Sequence, residues 1–376
     1  MDTWTIKPEE IPALLEGLAI LGNGGGGSPA WGRQILLNDL DHNRSWKIVD
    51  PKTIPDDWTI VSGGILASVT AIEAVEPAEL IKSWEEVFPT IEVIRLTERW
   101  IGKKVNAFVP FEPGGLNSPL AMTVSARSDI VVIDGDGLGR AAPESQMTSF
   151  IGHGVSLTPM PLIDRYGNAV IVIDAQEPTF SDELGRWVVS RGSGLSANTL
   201  YPMSGKQLKE SVIPGTFSRS LRIGKTVLEA RKSQENVIPK LVEVLSAKEL
   251  IQAKIEQMRE EERAGFYFTV VSLGGIGSHK GKKGRLIIKN EAMLYLEDQG
   301  PRAMFPDSIY MLEPATGRGY MSVELKEGMD IAVLASPCHP RMRKAIKTAT
   351  GRQSLGPSRY GYPDLEYRPI EELLAN

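Results

Sequence analysis

The sequence predicts an α/β domain with a mainly parallel sheet over residues 1–175. A C-terminal α+β part over 176–376 should follow, ending in a small β-rich barrel or sandwich. Three observations carry this. Short apolar runs at 59–61, 91–96 and 129–134 alternate with helical stretches at 76–87 and 117–127, the rhythm of strands layered against helices. Beyond about 175 the spacing turns helical, at 181–191, 204–212, 216–233 and 235–246, making a helical connector over about 176–246. From about 265 the chain is β-like, with runs at 266–273, 285–289, 292–296, 308–312 and 331–334 separated by turn residues.

Taken in order, Ile11, Leu14, Leu15 and Leu18 share one helical face over 11–21. Glycines 24 to 27 interrupt that pattern. Ser28-Pro29 then reads as the N-cap and first residue of a helix to about Leu40. The run at 129–134 is the clearest buried strand. The turn Asp164-Arg-Tyr-Gly-Asn168 precedes another at 169–174.

Composition narrows the function classes. With 41% hydrophobic and 24% charged residues over 376 positions, the chain is an ordinary globular protein with room for two or three cores. A net charge of −5 argues against nucleic acid or an anionic membrane as partner. The lone Cys338 excludes an internal disulfide framework and fits a reducing cytoplasm. No secretory signal pattern opens the chain and no window is apolar enough for a membrane span. A cytoplasmic, homo-oligomeric protein acting on a small molecule is expected.

The densest chemistry lies just past the strand at 129–134. Asp134 and Asp136, spaced by glycine, are followed by Glu144, Gln146 and His153. In open α/β sheets ligands gather outside the carboxyl ends of strands, and crowded acids perturb each other's protonation. Asp134 and Asp136 could equally cap a helix. Gly22, Gly24 and Gly27 match G-x-G-x-x-G, but a helix rather than a strand precedes them, so no nucleotide is expected. Glycines there permit close approach of a ligand, and the helix that follows offers free amides. A second loop, from Glu112 to Ser118, places Asn117 and Ser118 either as caps or as ligand contacts. Cys338-His339, bounded by Pro337 and Pro340, is an improbable nucleophile pair, because adjacent residues of an extended segment point apart.

These motifs together resemble the S-methyl-thiohydantoin desulfurase family, often encoded beside hydantoinase or oxoprolinase subunits. The matching stretches are Leu21-Gly-Asn-Gly-Gly-Gly-Gly27, Glu112-Pro-Gly-Gly-Leu-Asn-Ser118, Asp134-Gly-Asp-Gly-Leu-Gly-Arg-Ala-Ala-Pro-Glu-Ser-Gln-Met147, Tyr201-Pro-Met-Ser-Gly205, Ile213-Pro-Gly-Thr216, Lys289-Asn-Glu-Ala292 and Gly356-Pro-Ser-Arg-Tyr-Gly-Tyr362. The family tends to carry Thr where Asn23 stands, and Cys338-His339 is not one of its features. The resemblance implies an N-terminal and a C-terminal part meeting near 175. It also implies hydrolytic removal of sulfur, as a thiol, from C2 of a five-membered ring. On that reading Asp134, Asp136, Glu144 and His153 are the catalytic candidates, with Asp136 or Glu144 as base toward water. A divalent metal such as zinc could be held with His153. Gly24, Gly25, Gly26 and Ser28 would supply amides to developing negative charge, and Glu112, Asn117 and Ser118 would hold the ring. A non-catalytic subunit of an ATP-dependent hydantoinase or oxoprolinase is the other expectation.

Overall fold

The computed structural model describes residues 2–67, 76–192, 194–263 and 266–375. Its first layer is a seven-stranded sheet. Ile48–Val49, Val131–Ile133, Ala107–Pro110 and Thr59–Ala67 lie side by side, all parallel. Leu195–Ser204, Met160–Asp164 and Ala169–Val172 extend it with antiparallel pairing. The expected mainly parallel sheet is therefore mixed. The turn at 165–168 explains one part of this, since so short a link joins only antiparallel neighbours. Asp164 closes that turn by accepting N–H bonds from Tyr166 and Asn168.

Leu195–Ser204 lies between Thr59–Ala67 and Met160–Asp164, so the chain returns to the first layer after residue 175. Helices Ile11–Leu21, Pro29–Asp41 and Asn117–Arg127 pack on one face over a core of Leu14, Trp31, Phe108 and Leu120. The opposite face is filled by Ile133, Phe150, Leu162 and Tyr201.

The apolar run at 91–96, expected as a strand, is the middle of the helix Pro89–Ile101. Thr90, Val93, Ile94 and Thr97 are its buried residues, a 3.6-residue period that a short window blurs. Pro89 opens the helix, and Gly102 closes it at φ 68°.

The second layer is a seven-stranded, fully antiparallel sheet. Its strands run in the order Gly300–Met304, Glu291–Glu297, Lys283–Lys289, Phe266–Gly275, Lys248–Arg263, Asp330–Ser336, Ser308–Leu312. The two edge strands are joined only by residues 305–307, so the sheet must curl to bring its edges together. No ladder pairs those edges among the described residues. The predicted barrel or sandwich is thus an open, half-barrel curl around Ile251, Leu286, Tyr295 and Val333. No helix among the described residues is long and apolar enough to cross a membrane.

Candidate functional site

The glycine run is held between the two layers. Asn23, at φ 50°, accepts the Ile309 N–H on its side chain (2.8 Å) and the Ala292 N–H on its carbonyl (3.0 Å). The Gly24 carbonyl accepts from Ser322 at 2.9 Å, and that of Gly26 from Leu116 at 3.1 Å. Gly26 has φ 73°, and a Cβ there would lie 2.7 Å from the Gly114 Cα. Two glycine-bearing loops thus touch backbone to backbone, which only residues without side chains allow.

Beneath this contact lies a cavity of about 420 Å³. Gly24 to Ser28 form one wall, and Glu112, Leu116 and Asn117 another. Ala142 to Ser145, Arg186 and Asn198 continue it, and the second layer contributes Asn290, Glu291 and residues 321–324. Asn290 sits at φ 57° between paired Lys289 and Glu291 and exchanges hydrogen bonds with Tyr267, each 2.8 Å. This hairpin tip carries charged side chains from the second sheet to the cavity.

Four ionisable groups dominate its electrostatics. Glu112 is 4% exposed and both its oxygens are engaged, by the Asn117 amide (3.0 Å) and the Ala142 N–H (2.9 Å). Burial nevertheless lifts its carboxyl to about 8. Glu291, also 4% exposed, is raised well above the ordinary range by burial and by Glu112. Its Oε2 has no hydrogen-bond partner among the described residues, and a Cβ on Gly25 would fall 1.7 Å from its Oε1. Arg140 is fully buried and donates to the carbonyls of Ala141, Asp307 and Ala292. It is a cation beside the two acids, pulled down to about 10 by burial.

Glu144 is the fourth. It accepts from Lys289, Arg359 and Gln146, so its carboxylate is fully paired. Lys289 also lies 3.9 Å from the centre of the Phe266 ring, and burial lowers its ammonium. Arg186 stacks on the same ring at 3.6 Å and pairs with Asp182 at 2.8 Å.

Of the sequence-predicted residues, Gly24, Gly25, Gly26, Ser28, Glu112, Asn117 and Glu144 line this one cavity. Ser28 also caps its helix, accepting from Ala30 at 3.2 Å. Ser118 lies behind the wall, bonded to Gly114 N and the Glu112 carbonyl.

Asp134 and Asp136, expected as catalytic, are not on the wall of this cavity. Asp134 accepts the N–H groups of Phe217 (2.7 Å) and Ser218 (3.3 Å). Asp136 accepts from Leu138 and Gly139 and from the Thr216 hydroxyl. Both carboxyls point at the start of the helix Thr216–Lys232, where backbone donors lack partners. The strand pair Gly135–Asp136 and Ile213–Pro214 draws them there. Burial raises Asp136 to about 6. His153 ends the short helix Ser149–Gly152, its Nδ1 2.8 Å from the Ser149 carbonyl, and is not on the cavity wall. Among the described residues no group of three or more His, Cys, Asp or Glu side chains is placed to hold a metal ion. Cys338 is buried, and His339 caps the helix Pro340–Lys347 through Arg341 N.

Sequence reasoning missed Glu291, Asn290, Arg186 and Asn198. The first two had a signal: Lys289-Asn-Glu291 places three polar residues between apolar strands, where a plain turn would not bury them. The other two had none, because their positions depend on the return of the chain to the first sheet.

Comparison with known proteins agrees with this architecture. A crystal structure of a protein from Chromobacterium violaceum superposes with a TM-score of 0.76, at 21% identity, covering 98% of this chain and 100% of that one. This likeness supports the fold. No curated protein matches. The family model for the S-Me-THD-like N-terminal domain matches residues 9–174, and that for the S-Me-THD-like C-terminal domain matches 176–370. Between them the two models span nearly the whole chain, which therefore belongs to the S-methyl-thiohydantoin desulfurase-like family.

Proposed function

We propose that the chain is a hydrolase that removes sulfur, as a thiol, from C2 of a five-membered S-methyl-thiohydantoin-like ring. The observation that supports this most is the pair of buried carboxyls, Glu112 and Glu291, on one small cavity walled by the glycine loop. A cavity of about 420 Å³ suits a compact ring. Acids held uncharged near neutral pH can donate protons where a free carboxylate cannot. The overall change is balanced: water adds its oxygen to C2, the C2–S bond breaks, and the sulfur leaves with a proton as methanethiol. The ring becomes a hydantoin.

Backbone amides of Gly24 and Gly26 would face the negative charge that builds on the ring during attack, whereas that of Gly25 is donated to the Gly22 carbonyl at 2.9 Å. Asn117 and Asn198 direct their Oδ1 atoms at the N–H groups of Ile65 and Gly64, which leaves the Asn198 amide end for a ring oxygen. Glu144 is held by Lys289 and Arg359, so its role would be to fix the wall beside Arg186. The test is to incubate the purified chain, without ATP or partner, with S-methyl-thiohydantoins and to measure thiol release. The expected result is stoichiometric thiol and hydantoin. Release by the chain alone excludes a merely accessory role beside a hydantoinase or oxoprolinase, and no release across the panel sinks the hydrolase reading.

A further inference from the structure

We infer that Glu291, rather than either aspartate of the Asp-Gly-Asp segment or Glu112, is the proton-transferring catalytic residue of this cavity, and that the cavity takes an uncharged ring presenting a basic nitrogen. The substrate part rests on the desulfurase reading; the choice of carboxyl does not.

Geometry separates the candidates. Asp134 is spent on amides at the start of Thr216–Lys232, and Asp136 on the Leu138 and Gly139 N–H groups of its own loop and the Thr216 hydroxyl. Glu144 is locked by two cations. Glu112 lines the cavity, but Asn117 and the Ala142 N–H occupy its two oxygens. Only Glu291 both lines the cavity and keeps a buried oxygen, Oε2, without a hydrogen bond among the described residues. Leaving a buried polar atom unpaired costs free energy, and among the carboxyls on this cavity wall Glu291 is the one that bears that cost. Its other oxygen rests against Gly25, where any side chain would overlap it. The glycine run therefore does more than turn the chain: it makes room for this carboxyl. Glu112, Arg140 and Arg186 are the charged groups that act on it. Burial and the neighbouring acid hold the proton on, in keeping with a donor at neutral pH.

The step balances with this one group. Glu291 gives its proton to the ring nitrogen double-bonded to C2. Water attacks C2 and returns a proton to the carboxylate. That proton then passes to sulfur as the C2–S bond breaks, and the hydroxyl left on C2 loses its proton to Glu291 as the carbonyl forms.

The test uses the full-length chain and Glu291→Gln, a near-isosteric variant that keeps the volume and lifts the cost of burying an acid. Expected is a fall in kcat of roughly a hundredfold or more, with KM, hydantoin affinity and the unfolding midpoint little changed, and partial recovery in Glu291→Asp. Unchanged kcat in Glu291→Gln overturns the inference. A second readout needs no turnover: among the infrared carbonyl bands of protonated carboxylic acids at neutral pH, one should shift when hydantoin binds, be lost in Glu291→Gln and remain in Glu112→Gln. Persistence of that shifting band in Glu291→Gln overturns the inference even if no thiohydantoin is turned over. If thiol release fails while the band behaves as expected, the desulfurase reading falls and the assignment of Glu291 stands.

Discussion

Glu112 carries a proton that the unfolded chain would release, and this makes folding pH-dependent. Burial raises its carboxyl from an ordinary 4.5 to about 8. A carboxyl raised in this way stabilises the fold fully below about 4.5, and that stability is lost as pH climbs toward about 8. Within the window the unfolding free energy should fall by up to about 1.4 kcal/mol per pH unit from this group. Glu291 and Asp136 act with the same sign. Urea unfolding between about pH 5 and 9 should show the decline, and Glu112→Gln should flatten it; an equal slope in the variant would place the proton elsewhere. The two aspartates belong to stability as well. Read from sequence, Asp136→Asn would abolish turnover with the unfolding midpoint intact. The structure predicts that Asp136→Ala, which orphans two N–H groups and the Thr216 hydroxyl, costs roughly 2–4 kcal/mol. Its folded fraction should bind hydantoin normally, as calorimetry can show. The acids were visible in the sequence as a cluster. Their partners on the helix Thr216–Lys232 were not, because that helix starts some 80 residues further on.

At the scale of elements, local rules worked wherever one face was clearly buried. Ser28-Pro29 opens a helix as its chemistry demands, and 169–172, 285–289 and 308–312 are strands. The helix Pro89–Ile101 was misread because Ile91, Val93 and Ile94 crowd a window too short to show their period. Lys248–Arg263 escaped notice for a different reason: its Lys, Glu and Arg residues favour helices, yet it pairs on both sides, with Phe266–Gly275 and Asp330–Ser336. Pairing partners far along the chain override such preferences. The end of Pro89–Ile101 offers a clean measure of backbone strain. Gly102 sits at φ 68° with nothing within 4 Å of where a Cβ would stand. Gly102→Ala should then cost about 1 kcal/mol in chemical denaturation, all of it conformational. A neutral or stabilising effect would mean the helix ends differently in solution.

Whole-molecule organisation decides whether the cavity exists at all. The two family models meet at 174 and 176, but the packing crosses that point repeatedly. Leu195–Ser204 fills the space between Thr59–Ala67 and Met160–Asp164. Phe217 and Leu195 sit in the core with Leu14 and Trp31. Arg186, Asn198 and Glu291 line the same cavity as the glycine loop and Glu112. A fragment of residues 1–175 would expose two unpaired strand edges inside what should be one sheet, together with the apolar faces of its helices. Expressed alone, that fragment should show no cooperative thermal transition and no hydantoin binding. The full chain should melt in one transition, its calorimetric and van't Hoff enthalpies equal. Supplying 176–376 in trans should restore binding, because every missing wall comes from that piece. A fragment that melts cooperatively by itself would show that the first sheet closes without Leu195–Ser204, and the cavity would then have to be built by docking two finished domains rather than by one interleaved fold.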